Sequence, residues 1–281
     1  MLAAADHDYI ADILAWRQTE EDRLRAEDGW LTVVGLEWMH EGGNTVGSAA
    51  DRDVVLPVPD LPDQVGIIHL DNGHVTLDVS TDVPVLVDGV PVKQAVLHVQ
   101  QPKTPPSYVK IGSVTFFVIQ RGERYAVRIR DANSVARRTF SGRCWFPVDP
   151  AYRVTARFTA HTSERTLEVE TPLGTRVQLV SPGMLDFELR GQSLRVDAFW
   201  DGDTEHGQQL WLIFRDATSG LSTYGASRFL KIPLFADGTA LIDFNRAYHP
   251  PCAFTHYATC PLPPRQNILP LAVEAGERLP S

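Results

Sequence analysis

The amino-acid sequence predicts an all-β protein with one N-terminal helix. Three observations carry that expectation. The stretch from Asp6 to Asp28 contains no Pro or Gly and stops at Gly29, which is the signature of an uninterrupted helix. From Trp30 onward, short β-rich runs alternate with turn dipeptides, among them Gly42-Gly43, Asn72-Gly73, Asp88-Gly89, Arg121-Gly122 and Asp237-Gly238. Punctuation at that rhythm indicates antiparallel sheet. Finally, 281 residues with 43% hydrophobic and 22% charged side chains can bury a substantial core, which excludes a mainly disordered chain and a coiled coil.

The helix carries apolar positions at Tyr9, Ile13 and Trp16 and at Ile10 and Leu14, one or two turns apart. Its second half, from Glu20 to Asp28, is rich in charge and offers i,i+4 pairs such as Glu21 with Arg25; it reads as a solvated face and receives no functional role. Strands are expected at 75–79, 83–87, 95–99, 114–119 and 125–130, then at 153–160, 165–170, 176–180, 185–189, 193–199 and 209–214. A soft boundary falls at Pro147 to Pro150, where Pro-x-x-Pro breaks the rhythm. The expected divisions are therefore 1–42 for the helix and its connection, 43–149 for a first β region and 150–281 for a second.

The balance of 26 Lys and Arg against 35 Asp and Glu leaves a net charge of −9, and an acidic surface repels phosphate backbones, so nucleic acid is not an expected partner. The apolar runs are far shorter than the roughly 20 residues a spanning helix needs, so no membrane association is expected. Asp6, Asp8 and Asp12 interrupt any signal-like apolar stretch. Three cysteines cannot form a disulfide framework in a chain this long, and a cytoplasmic location fits them best. No Walker, nucleophile-elbow, His-Glu-x-x-His or dinucleotide pattern is present, and no cofactor is expected.

Two resemblances refine this reading. Between Gly43 and Asp131, the order Asn44-Thr45-Val46-Gly47-Ser48, Asp53-Val54-Val55-Leu56, Val87-Asp88-Gly89-Val90-Pro91 and Ile111-Gly112-Ser113 resembles a forkhead-associated (SMAD/FHA-like) β-sandwich. The resemblance implies that fold. Ser48, however, stands where such domains carry a phosphate-reading Arg, and Asp88 stands where they carry Asn. These replacements remove a guanidinium fork and add a repelling charge. The second resemblance rests on Trp30 to Trp38, on Tyr224 to Pro233, on Asp243 to Pro264, and on Asn267, Leu269-Pro270 and Glu274-Ala275-Gly276-Glu277. Together these are similar to the domain of unknown function 1684 family, which implies no particular reaction.

The candidate site is the C-terminal tail. Pro occupies six of the twenty-one positions from 250 to 270, and each fixes φ and removes an amide donor, so this segment should be a stiff irregular rail. Such a rail can hold side chains at fixed spacing; it can equally serve as cover for a sheet edge. Arg228, Lys231 and Arg265 are expected to present donors to a carboxylate or phosphate, with Tyr224 and Asn245 completing a ligand pocket. Asp243, Arg246, His256 and Cys260 are the candidate catalytic groups, Asp243 or His256 handling protons and Arg246 stabilising charge. Cys260 could also act as a nucleophile with His256 as its base, or pair with Cys252 in redox chemistry.

The expected function is therefore binding of a small polar or anionic ligand, extended in an enzyme to cofactor-independent hydrolysis or transfer. A protein-interaction module using the sandwich loops is the alternative, with a protein as partner. A further alternative is a zinc staple built on His249, Cys252, His256 and Cys260, which have zinc-type spacing. Pro250 and Pro251 speak against it, and the family resemblance implies that only the two cysteines would be shared. No metal site is expected.

Overall fold

The computed structural model describes residues 4–101, 104–201 and 209–280. The chain is mostly β, with α1 (Ala4–Arg25) as its long helix. No helix among the described residues is long and apolar enough to cross a membrane. Two compact units emerge, and they are not successive segments: one is Leu24–Phe140, while the other joins Met1–Arg23 to Ser141–Ser281.

The first unit is a two-sheet sandwich. Its strands are β1 (Val33–Trp38), β2 (Gly42–Gly47), β3 (Val54–Val55), β4 (Gly66–Asp71), β5 (His74–Val79), β6 (Leu86–Val87), β7 (Val90–Pro91), β8 (Gln94–Leu97), β9 (Val109–Ile111), β10 (Val114–Arg121) and β11 (Arg124–Asp131), followed by a short helix α2 (Val135–Thr139). One sheet runs β1-β11-β10-β9-β6-β7, the other β3-β2-β4-β5-β8. Alternation sends every second residue inward, so Val46, Ile68, Leu77, Ile111, Phe116, Val127 and Ile129 fuse into one apolar core. The expected strand at 83–87 shrinks to its last two residues, Val83 being exposed. Ser48, at the position where a forkhead-associated domain carries Arg, donates to the Leu61 carbonyl at 2.8 Å. Asp88 accepts from the Tyr108 amide at 2.9 Å.

The second unit is built on β12 (Cys144–Trp145), β13 (Arg153–Glu170), β14 (Arg176–Leu189), β15 (Gln192–Trp200), β16 (Gln209–Phe214), β17 (Arg228–Pro233), β18 (Thr239–Asp243) and β19 (Glu277–Arg278). Six of these form an antiparallel sheet in the order β17-β16-β15-β14-β13-β18. Its two edge strands are consecutive and joined by a short turn with a Leu234–Ala240 bridge and a Phe235 N–H to Thr239 carbonyl bond of 2.9 Å, so the sheet curls into a barrel whose edges meet at that turn. Ala156, Leu185, Phe187, Val196, Leu210, Leu212, Leu230, Ile232, Ala240 and Ile242 fill its interior. The strands expected separately at 153–160 and 165–170 are one strand, β13, which passes through an irregularity in its pairing between Ala160 and Arg165; those at 176–180 and 185–189 likewise merge into β14.

Helix α1 belongs to this unit through Ile13, which is fully buried, and through an edge-to-face contact of Trp16 with Trp145 at 5.7 Å. Its inward face is also polar. Arg17 lies over the Trp145 ring and donates to the Phe146 carbonyl, which the apolar spacing alone did not reveal. The hairpin from β17 to β18 turns at Asp237-Gly238, where Gly238 has φ +80°, a conformation that glycine adopts without steric cost.

Candidate functional site

The residues expected to share one hollow are distributed over two buried networks and an exposed remainder. The first network lies where α1 meets the start of β13 and the end of β18. Asp243 pairs with Arg153 across the two strands and accepts the Tyr9 hydroxyl at 2.8 and 3.0 Å. It also caps the turn Phe244–Arg246 by accepting the Asn245 amide at 3.1 Å. The fully buried Asn245 donates through Nδ2 to Tyr9 Oη and to the Asp149 carbonyl and accepts the Asp149 amide, all at 2.9–3.0 Å. Arg246 is bound to Asp12 and stacks over Trp16. Burial and the Asp243 charge raise the Tyr9 pKa, while burial pushes Arg17 down to about 10. Tyr9, Asp12, Asp243, Asn245 and Arg246 thus dock the helix, with Asn245 also tying down the chain at Asp149.

The second network runs through the tail. Arg228, expected to greet a ligand, is fully buried. It donates to Asp216 at 3.1 Å and to the carbonyls of Val273 and Ala275, and desolvation lowers its pKa. Glu277 is positioned by Gly276, whose φ is +79° and whose missing Cβ would lie 2.4 Å from the Ala247 carbonyl oxygen; no larger residue fits. The Glu277 carboxylate accepts from Arg143 and from the His249 amide at 2.7 Å. His249 Nε2 accepts the Tyr224 amide at 3.1 Å, and a nitrogen that accepts must be unprotonated. Burial and the nearby cations Arg228 and Arg143 push His249 down to about 3, while burial pushes Glu277 up to about 7 against the pull of Arg143. Tyr224 donates to the Cys252 carbonyl at 3.0 Å.

These arrangements correct the expected pocket. Lys231 is exposed and pairs with Asp201 at 2.8 Å; Arg265 and His256 are exposed as well. Cys260 is buried against Cys252, whose amide donates to its sulfur at 3.3 Å, while His256 faces solvent. The expected catalytic four thus do not converge. The physical reason is that buried guanidinium and carboxylate groups close on each other and on tail carbonyls left open by the irregular backbone. The zinc quartet does not assemble either: among the described residues no three His, Cys, Asp or Glu side chains are placed to share a metal ion.

A concavity does exist, on the barrel's outer surface. It encloses about 590 Å³ and is lined by Thr155, Ala156, Arg157, Phe158, Asp186, Asp237, Gly238 and Thr239. Strand pairing sets Thr239, Arg157, Asp186 and Arg195 in one row across β18, β13, β14 and β15, and residues directly opposite one another share a face. Arg195 binds Asp186, whose pKa this hydrogen bond lowers. Asp237 accepts the Thr239 amide and hydroxyl at 2.9 and 2.6 Å. The exposed Arg157 guanidinium makes no hydrogen bond among the described residues. Sequence reasoning missed this row because its members lie up to 82 positions apart, from Arg157 to Thr239, and only register joins them.

Residues 138–278, half of the chain, match the family model described as "Protein of unknown function (DUF1684)". The solution NMR structure of an uncharacterized protein from gene locus rrnAC0354 of Haloarcula marismortui is 36% identical, covering 51% of this chain and 79% of that one, with a TM-score of 0.42. A structure from a study of phosphothreonine-dependent FHA domain interactions is 16% identical, covering 35% of this chain and 96% of that one at a TM-score of 0.24. The FhaA FHA domain complexed with the intracellular domain of Rv3910 is 15% identical, covering 34% and 97% at the same TM-score. No curated protein matches the chain.

Proposed function

The chain belongs to the DUF1684 family, which is described as of unknown function, and we propose that its C-terminal unit binds a small polar ligand in the groove over β13 and β18. The single observation that carries this reading is the Arg157 guanidinium, which makes no hydrogen bond among the described residues and whose charge acts on Asp186, beside an open concavity of about 590 Å³. A guanidinium can take a carboxylate or phosphate through two parallel hydrogen bonds. Asp237, fixed by Thr239 on the opposite side, supplies an acceptor for a hydroxyl or amino group. The preferred ligand therefore carries an acidic group at one end and a donor at the other. Asp186 is already neutralised by Arg195, which limits its repulsion of an anion at Arg157. Phe158 adds an apolar wall. The tail groups first expected to touch the ligand act in this reading as the frame that holds the barrel and its helix in place.

The experiment is a thermal-shift series with citrate, inorganic phosphate and serine on the wild-type chain, on Arg157→Ala and on Arg246→Ala. A stabilisation by at least one probe that Arg157→Ala abolishes and Arg246→Ala retains is expected. If no probe stabilises the wild type, or Arg157→Ala responds as the wild type does, the reading is wrong.

A further inference from the structure

Cys252 and Cys260 are two neighbouring thiols that neither buried network employs. Cys252 is half-buried in the single turn Pro251–Ala253, and Cys260 is buried eight residues further on. The loop between them folds back so that the Cys252 N–H donates to Cys260 Sγ at 3.3 Å. The segment is pinned at both ends of that turn: Tyr224 Oη holds the Cys252 carbonyl at 3.0 Å, and the amides of Ala253 and Thr255 return to the carbonyls of Pro250 and Pro251. The neighbouring Cys260 sulfur lowers the pKa of Cys252 against the opposing effect of burial, with the Tyr224 hydroxyl adding to the lowering. Thiolate character and access are what make a cysteine susceptible to oxidation, and a neighbouring thiol is what resolves the product.

We propose that Cys252 is an oxidation site for hydroperoxides and that Cys260 resolves it into a reversible intrachain disulfide. The Cys252 thiolate attacks the terminal oxygen of the hydroperoxide and breaks the O–O bond. Cys252 becomes a sulfenic acid, and the leaving alkoxide takes up a proton as an alcohol, or as water when the oxidant is hydrogen peroxide. The Cys260 sulfur then attacks the sulfenic sulfur; the S–S bond forms, the S–O bond breaks, and the sulfenic oxygen leaves as water with the Cys260 proton. In sum, two thiols lose two electrons and two protons, and the peroxide bond takes them up. Cys144, half-buried in β12, has neither of the other cysteines as its strand partner, pairing instead with Arg278, and serves as an internal control.

The test uses the folded full chain. Arg246 and Arg265 bracket both cysteines with no other Lys or Arg between them, so trypsin releases them on one peptide. After brief hydrogen peroxide treatment and alkylation, that peptide is expected to be lighter by two hydrogen atoms and to carry no alkyl group. Dithiothreitol should restore both alkylation sites, and Cys144 should alkylate throughout. In Cys260→Ser, dimedone should trap Cys252 as its sulfenic acid, whereas Cys252→Ser should leave Cys260 alkylatable. The proposal fails if both thiols of the wild-type peptide still alkylate fully, or if Cys144 is oxidised as fast as Cys252.

Discussion

The two units of this protein stabilise similar β architectures by different means. In the sandwich, the core is aliphatic and aromatic, and Arg128 is its buried charged side chain among the described residues. In the barrel unit, Arg17, Asp216, Arg228, Asp243 and Glu277 are all buried, with Asn245, His249 and Asn267 among them. The cause is the backbone. Sandwich strands satisfy one another, whereas the Pro-interrupted tail leaves carbonyls at Val273 and Ala275, and the chain before Pro147 leaves one at Phe146, that long donors from elsewhere reach. Buried charge in the barrel unit is thus a consequence of irregular chain, and it should be judged as scaffold before it is judged as chemistry.

The largest test of that contrast is Asp216→Ala, which strands the Arg228 guanidinium in the interior. We expect a loss of about 3–5 kcal/mol in urea unfolding, and partial recovery when Arg228→Met is added, because a pair replaced by apolar groups costs less than a pair broken. In the sandwich a loss of similar size requires removing core volume; Ile68→Ala should cost roughly 2–5 kcal/mol.

Next is His249. Its pKa falls from an ordinary 6.5 to about 3 in the folded chain, so below pH 6.5 the unfolded state binds a proton that the native state refuses, and stability is lost as pH falls. The loss due to this residue should reach roughly 2 kcal/mol by pH 5. Glu277 works the other way: its folded pKa of about 7 lies above the ordinary 4.5, so its contribution declines as pH rises through that interval. In His249→Asn, whose amide oxygen can still accept the Tyr224 N–H, urea midpoints should therefore fall steadily from pH 5 to pH 7. In the wild type the two slopes oppose.

A matched pair compares the units directly. Asn245→Ala and Asn44→Ala each delete a fully buried amide, the first bonded to Asp149 and Tyr9, the second to the carbonyls of His40, Gly42 and Ile68. Each should cost about 2 kcal/mol, but only Asn245→Ala should loosen α1, seen as faster amide exchange along Tyr9 to Arg17. The smallest effect belongs to Lys231→Ala. Its pair with Asp201 is half-exposed, so the change in urea midpoint should correspond to less than about 1 kcal/mol.

Much of the fold was legible because period and punctuation are local. The helix, the β10 and β11 hairpin around Arg121-Gly122 and the β16 strand all follow from alternation and turn residues. No strand is expected over β17 or β18, and the ligand role expected of Arg228 and Lys231 is not met as a pair, because alternation sends Arg228 inward and Lys231 outward. The tail is irregular backbone with buried polar groups, but spacing cannot tell whether a charged group points into a hollow or into a partner. Asp216, Arg143 and Tyr9, which decide that question, lie up to 236 residues from the groups they bind. The polar row of the groove was invisible for the same reason.

The most direct test of the whole account is a ¹H–¹⁵N correlation titration of the full chain with citrate and with inorganic phosphate. Shifts are expected to concentrate at the amides of Thr155, Arg157, Gly238 and Thr239 and to be absent in Arg157→Ala. Shifts centred instead on Tyr224, Asn245 and Arg246 would contradict it, returning the ligand to the tail; so would a spectrum that neither anion changes.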